Sequence, residues 1–330
     1  MDTLIGFSLI ILVGILQGGF MFPAKFIKDW KWENYWLVYS IFGLLVINLI
    51  IGIILVPEAF TIILKYKETA IVLFLLGLLW GGGSIMFGKG MEMLGMALGY
   101  PIIMGIASSF GAIFPALIFS PEIFLEPKGI ILVAGVTIAV AGIIICAKAT
   151  GLKEKKTDSK KSGLGIIVAI GAGILCTMPN IAIILGDEMI KSTEQTLTNP
   201  SLASNLMWLI IFPAGFLTNV VYISILFKKN DSGRYLFKKP FGKNWVLAFI
   251  MAAMWISSLY LYGIGTNKMG HLGIVIGWPV FVSLSIIVGN LLGLISGEWS
   301  GAPRKAKTLL NIGMAVLIIS IIVISFSTLE

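Results

Sequence analysis

The sequence predicts an all-α membrane protein of about ten transmembrane helices, in two inverted five-helix repeats with both termini facing outward. Three observations predict it: apolar runs from end to end, an asymmetric placement of Lys and Arg, and an internal repeat. Of the 330 residues 58% are hydrophobic and 12% charged, and the mean hydropathy is +0.99. Soluble domains carry about 25% charged residues. Runs of roughly 18 or more apolar residues, enough to cross a bilayer core, recur along the chain. They leave no room for a separate soluble domain.

Ten spans are read: Leu4–Phe22, Tyr35–Val56, Thr69–Phe87, Leu94–Phe119, Gly129–Ala147, Gly163–Leu185, Leu206–Phe227, Trp245–Tyr262, Leu272–Ile295 and Leu309–Phe326. Helix is the state they require, because lipid-exposed backbone must satisfy its own hydrogen bonds. Barrel strands would alternate over about ten residues, and these runs do not. The connections after spans one, three, five, seven and nine hold 19 of the 24 Lys and Arg. Those connections are therefore cytoplasmic. The net charge of +8 follows from them and does not point to nucleic acid. Cys146 and Cys176 lie inside apolar runs and suit packing better than a disulfide. Met1-Asp2-Thr3 puts no positive charge ahead of the first run, so no cleavable signal is expected.

The basic stretch 148–162 separates residues 1–147 from residues 163–330, five spans on each side. Five is odd, so homologous halves would enter the membrane from opposite sides. Leu94-Gly95-Met96-Ala97-Leu98-Gly99-Tyr100-Pro101 is echoed by Leu272-Gly273-Ile274-Val275-Ile276-Gly277-Trp278-Pro279. Upstream, Trp80, Gly88 and Gly90 match Trp255, Gly263 and Gly265 at identical spacing. A single three-residue insertion reconciles the two offsets.

Inverted repeats in a membrane place substrate at their interface, marked by Gly- or Pro-interrupted segments in corresponding positions. Here these are Gly99 with Pro101, and Gly277 with Pro279. Each proline frees the carbonyl four residues back, on Ala97 or Val275. A freed carbonyl can bind a hydroxyl or a cation, or simply mark a kink. A neutral polar solute needs hydrogen-bonding partners and flat apolar faces. Gln17, Trp80, Ser84, Tyr100, Asn180, Asn219, Trp255, Tyr260 and Trp278 are the candidates within the spans. Their plainer reading is interhelical glue or an interfacial anchor, poorest for Trp80 and Trp255, which lie well inside their spans.

No acid is read near the middle of a span. Asp187 and Glu188, at the outer end of the sixth span, and His271, opening the ninth, are the proton-coupling candidates. Adjacent carboxylates raise one another's proton affinity; a peripheral acid is otherwise a solvated loop residue. The glycine runs lack the lysine and spacing of a phosphate loop. One histidine and two scattered cysteines offer no metal site, and no catalytic constellation suggests an enzyme. Gly77 with Gly81, and Gly289 with Gly293, have the small-residue spacing of close helix contact.

Gly14, Phe22-Pro23, Lys25 and Trp30-Lys31-Trp32-Glu33 resemble the first loop of the L-rhamnose–proton symporter family. Leu79-Trp80-Gly81, Gly83, Gly88 and Leu94-Gly95-Met96 are similar to it too. So are Met254-Trp255, Tyr262, Gly265, and Gly297-Glu298-Trp299-Ser300 with Arg304. The resemblance covers nearly the whole chain in order, and its Trp-Lys-Trp-Glu and Glu-Trp-Ser elements are its specific parts. It implies membership of the drug/metabolite transporter superfamily and uptake of L-rhamnose with a proton, or another cation in its place, across the bacterial inner membrane. It also implies a cavity lined by the first, third, fourth, sixth, eighth and ninth helices. The sixth span and the Met189–Asn205 loop depart from the pattern. No cofactor is implied, lipid is the surrounding partner, and monomer and homodimer both stay open. Export or facilitated passage of another small metabolite or drug on the same fold is the alternative.

Overall fold

The computed structural model describes residues 2–119, 121–153, 159–238, 241–269 and 271–326, so residues 154–158 of the basic stretch lie outside the described residues. Every regular element among the described residues is helical. In chain order these are α1 (Asp2–Gly19), α2 (Trp32–Ser40), α3 (Ile47–Leu55), α4 (Ala59–Lys65), α5 (Lys67–Leu94), α6 (Met96–Phe119) and α7 (Pro127–Lys153). There follow α8 (Ser159–Leu175), α9 (Met178–Leu185), α10 (Asp187–Glu194), α11 (Leu206–Asn230), α12 (Phe241–Met269), α13 (His271–Ile295) and α14 (Arg304–Phe326). Eight stretches among the described residues are long and apolar enough to cross a bilayer: Thr3–Phe26, Trp32–Leu55, Lys67–Leu94, Gly129–Lys153, Gly163–Leu185, Pro200–Asn230, Gly242–Met269 and Arg304–Ile324. The fourth and ninth expected spans are α6 and α13, whose described apolar stretches, Met96–Gly111 and Val280–Ile295, are shorter.

The chain forms two compact units. The first holds Met1–Gly19, Met86–Thr177 and Ile264–Glu330, and the second Phe20–Ile85 and Met178–Gly263. In the first, α7 lies along α14 and α1 along α13, while α6 packs on α7, α8, α13 and α14. In the second, α11 runs against α2 and α3, and α10 meets α4.

Glycine decides how closely these helices approach. In the second unit a Cβ on Gly81 would stand 2.7 Å from the Gly215 carbonyl, and one on Gly77 2.7 Å from that of Ile211. In the first unit a Cβ on Gly293 would stand 2.5 Å from the Ala97 nitrogen, and one on Gly289 3.2 Å from the Tyr100 ring. Three of these four glycines thus admit a neighbouring backbone, and Gly289 admits the Tyr100 ring.

The helix breaks fall elsewhere than the prolines suggested. α5 ends at Gly95, whose φ of +76° suits glycine far better than a residue with a Cβ. α6 begins immediately, so its first amides lack helical partners. Glu298, beyond α13, supplies them: its Oε1 accepts from Met96 N at 2.9 Å and its Oε2 from Ala97 N at 3.0 Å. A negative group at a helix N-terminus is also favoured by the backbone dipole. α6 then runs through Gly99 and Pro101. The Ala97 carbonyl, freed by Pro101, accepts from Asn290 Nδ2 at 3.5 Å. That partner is protein, and it removes the reason for the helix to open there. α13 likewise continues through Gly277 and Trp278; the Pro279 side chain lies outside the described residues.

Two departures were not foreseen. The sixth span divides at Cys176–Thr177, between α8 and α9 and just before Pro179, with Thr177 bonded through both N and Oγ1 to the Ile174 carbonyl. The second span widens into a π-helical turn at Ile41–Val46, between α2 and α3.

Replacing Glu298 tests the cap. Hydrogen bonds to a charged group contribute about 1.5–3 kcal/mol. Glu298→Ala should therefore lower stability by about 2–3 kcal/mol, read as the thermal midpoint in detergent, and Glu298→Gln by less. An unchanged midpoint for Glu298→Ala would mean that the cap is idle.

Candidate aromatic and amide site

Trp32, Trp36 and Tyr39 recur at helical spacing and share one face of α2. Trp208, Phe212, Gly215, Asn219 and Tyr222 do the same on α11. The two faces meet antiparallel within the second unit. Trp32 stands edge-on to Tyr222 with centroids 6.2 Å apart, Trp36 Nε1 donates to Asn219 Oδ1 at 2.7 Å, and Asn48 Nδ2 donates to the Trp208 carbonyl at 3.1 Å. As numbers rise along α2 and α3 they fall along α11.

The rings form a continuous column. Trp32 stacks on Trp36 at 5.1 Å, Trp36 meets Tyr39 at 4.7 Å, and Tyr39 meets Trp255 of α12 at 5.9 Å. Trp255 and Trp80 of α5 stack at 5.9 Å with 27° between planes. Phe212 lies against both, at 5.0 Å from Trp80 and 5.1 Å from Trp255, and stacks on Trp208. Trp80 and Trp255 are each 7% exposed. Gly215 makes room: a Cβ there would meet the Trp80 ring at 2.6 Å.

Polar groups line this column. Asn219 accepts from Trp36 and donates to the Gly215 carbonyl at 2.8 Å and that of Gly81 at 3.4 Å. Its amide is committed to holding α2, α5 and α11 together. Tyr260 donates to Asn48 Oδ1 at 2.9 Å. Ser84 is buried one turn beyond Trp80, and Asn180 sits half-buried in α9, beside the break at Thr177. Ser40, next to Tyr39 at the start of the π turn, is fully buried, and its hydroxyl has no partner among the described residues. Such turns recur at functional sites.

Other candidates lie in the first unit. Tyr100 is fully buried, with Ser285 and Gln17 beside its hydroxyl. Trp278 is 40% exposed and edge-on to Phe281. Asp187 and Glu188 stand exposed on α10. Asp187 binds Lys191 at 2.6 Å, and this carboxylate holds the Lys191 ammonium above the ordinary lysine pKa. His271 opens α13, and its side chain lies outside the described residues. No group of three His, Cys, Asp or Glu suited to a metal occurs among the described residues.

Residues 3–328 match the family described as L-rhamnose-proton symport protein (RhaT). The chain belongs to this family. Its relatives include the L-rhamnose-proton symporters of Klebsiella pneumoniae (strain 342), 28% identical over 314 residues, and Shigella dysenteriae serotype 1 (strain Sd197), 27% identical over 314. That of Escherichia coli (strain 55989 / EAEC) is 26% identical over 313 residues. Each alignment covers 91% of this chain and 91% of the relative. The chain is thus a multi-pass membrane protein of a symporter family.

The two motifs that carried the family resemblance take definite places. Trp30 Nε1 donates to the Tyr235 carbonyl at 2.8 Å and Lys31 Nζ to that of Asn230 at 3.1 Å. Glu33 accepts from Asn230 Nδ2 at 2.8 Å and Ser232 Oγ at 2.5 Å. Trp-Lys-Trp-Glu therefore clasps the connection between α11 and α12. In the first unit Glu298 caps α6, and the buried Trp299 receives Lys153 over its ring at 4.9 Å.

Reading residue types alone missed Trp36, Tyr39, Ser40, Asn48, Trp208 and Phe212. The i, i+4, i+7 spacing of Trp32, Trp36 and Tyr39 was the signal for the α2 face; Asn48 gave none, because its helix is rephased by the π turn. Removing the Asn219 amide should leave the buried Trp36 Nε1 without its acceptor and untie the Gly215 and Gly81 carbonyls from the Asn219 side chain. Asn219→Leu should cost about 1–3 kcal/mol of stability, and Tyr260→Phe about 1 kcal/mol. Thermal midpoints in detergent check both, and the reverse order would refute the ranking.

Proposed function

We propose that this chain carries L-rhamnose into the cell together with a proton, by alternating access across the bacterial inner membrane. The observation that carries the sugar reading is the Trp80–Trp255 stack with Phe212 against both rings. These two tryptophans are the pair that the internal repeat matches. A 6-deoxy sugar offers C–H faces and a methyl group to such rings, and hydroxyls to a buried serine. Ser40, whose hydroxyl has no partner among the described residues, and Ser84 stand nearest in sequence to the rings that would take it. Family membership supplies the substrate class, since the relatives above are named for L-rhamnose and the proton.

Ten crossings in two inverted halves, 1–147 and 163–330 joined by 148–162, with termini outside, belong to the same reading. The boundaries of the compact units support it. They fall within the first and third spans of one half, at 19–20 and 85–86, and, in the other, within the first span at 177–178 and within α12 just past the third span at 263–264. The antiparallel α2–α11 pairing supports the orientation, because it puts two of the lysine-rich connections at one end.

The test is uptake of labelled L-rhamnose by a strain lacking its own transporter and expressing this chain, with and without a protonophore. Uptake that the protonophore abolishes is the expected result. No uptake by protein shown to be in the membrane would sink the reading and favour export or another substrate. Trp80→Ala and Trp255→Ala should each weaken binding by about 1–2 kcal/mol, a rise of roughly 5- to 30-fold in KM, with phenylalanine replacements milder. Wild-type KM in both alanine variants would exclude the stack from the site.

A further inference from the structure

Charge divides the second unit by its ends. Trp32 faces Tyr222 and Asn48 reaches Trp208, so the segment before α2 and the α11–α12 connection share one end. Residues 25–31 carry three exposed lysines there, and the described residues of 228–243 carry five more exposed Lys or Arg. Two exposed acids stand among them, Asp29 and Asp231, and Asp231 is on Arg234 at 3.0 Å. Glu33 is buried in the clasp. At the other end of the unit the balance reverses: residues 58–68 and 187–194 hold three lysines and five acids.

A row of lysines marks any cytoplasmic end, but these stand on a fixed frame. Asn244 holds both sides of the Lys28 backbone, its Nδ2 donating to the carbonyl at 2.7 Å and its Oδ1 accepting from the amide at 3.4 Å. Asn34 Nδ2 donates to the Ser232 carbonyl at 2.8 Å, and Trp30 and Lys31 reach the Tyr235 and Asn230 carbonyls. The two basic segments are thus bonded to each other, which lowers the ordering cost of a ligand that meets both. Aromatic rings of the kind that sit at headgroup level lie between them. Trp30 is edge-on to Trp245 at 6.3 Å, and Arg234 and Lys238 stand over the Tyr235 ring at 5.5 and 5.8 Å. Each segment also turns a phenylalanine outward, Phe26 at 50% and Phe237 at 74% exposure.

A free phosphate gains nothing from exposed phenylalanine rings, whereas an acyl chain does. Cations and outward rings on one frame therefore fit a ligand with an anionic head and an apolar tail. We propose that this clasp binds an anionic phospholipid, its phosphate among the lysines of both segments and its acyl chains along Phe26 and Phe237. In the orientation proposed above, this lysine-rich end faces the cytoplasmic leaflet. Each Lys or Arg beside an anionic headgroup is worth roughly fivefold in affinity. The lipid site is independent of which solute the chain carries, so it and the transport reading stand or fall separately.

The experiment titrates the full chain, in an uncharged detergent, with phosphatidylglycerol or phosphatidylcholine carrying brominated acyl chains, and reads the quenching of tryptophan fluorescence. Phosphatidylglycerol should quench saturably and at lower concentration than phosphatidylcholine. Replacing Lys28, Lys228 and Lys229 together by glutamine should weaken phosphatidylglycerol by about tenfold or more and leave phosphatidylcholine unchanged. Lys65→Gln with Lys67→Gln, at the other end of the unit, should bind as wild type does. Phe237→Ser keeps every cation and should weaken phosphatidylglycerol by about threefold. Equal quenching by the two lipids overturns the proposal. So does a triple variant that binds like wild type, or an equal loss in the Lys65 and Lys67 variant, which would mark only the net charge of the chain. Inorganic phosphate that relieves the quenching as well as unbrominated phosphatidylglycerol does would mark a site for a soluble anion and overturn it too. Should the triple variant fail to fold, Lys28→Gln and Phe237→Ser decide: weaker binding in both supports the lipid site, and unchanged binding in either overturns it.

Discussion

A backbone amide or carbonyl left without a partner in hydrocarbon costs several kcal/mol, and the architecture follows from how each interruption of a helix is answered. At Gly95 the turn into α6 exposes two amides, and Glu298 takes both. At Pro101 a carbonyl is released, and Asn290 reaches it. At Thr177 the side chain folds back on its own turn. These polar residues are recruited from distant sequence to wherever the helix geometry fails. The first unit is therefore pinned at its α5–α6 corner by a carboxylate from beyond α13, with glycine on both sides to admit it.

The second unit is held differently. Its α2 and α11 present complementary faces, one of rings and one of rings with an amide, and Asn219 ties them to α5. Such an amide satisfies three backbone or indole groups at once. It is the frame of the aromatic column. The groups that remain for a ligand are ring faces and small hydroxyls, a chemistry suited to a neutral polyol and poorly suited to an anion.

Much of this was legible in advance. The helical class followed from the apolar runs, and the Gly77/Gly81 and Gly289/Gly293 spacings met the close contacts they suggested. Trp80 and Trp255, matched by the repeat, meet ring to ring. The position of the breaks was not legible. Proline was the visible signal, but whether a proline opens a helix depends on whether a remote side chain answers its orphan carbonyl. The capping role of Glu298 was not legible either, because the amides it binds are 202 and 201 residues away. Glu33 read only as part of the first-loop stretch that carried the family resemblance, since burial at a helix start depends on the α11–α12 connection folding over it. Asp187 and Glu188 lie exposed on the short α10, with Asp187 tied to Lys191.

The π turn at Ile41–Val46 has a consequence for phase. An α-helix advances 100° per residue, so twelve residues from Trp36 would place Asn48 about 120° around the axis from it. The widened turn absorbs roughly one residue, and Asn48 then comes within about 20° of Trp36's direction. The amide thereby faces Trp208 and Tyr260 instead of pointing elsewhere around the helix. The second span is in effect two helices of the same axis clocked one residue apart. Tightening that turn would disengage Asn48 from its partners while leaving the lower tryptophans seated, so the span contains a built-in rotary joint at the level of the aromatic column.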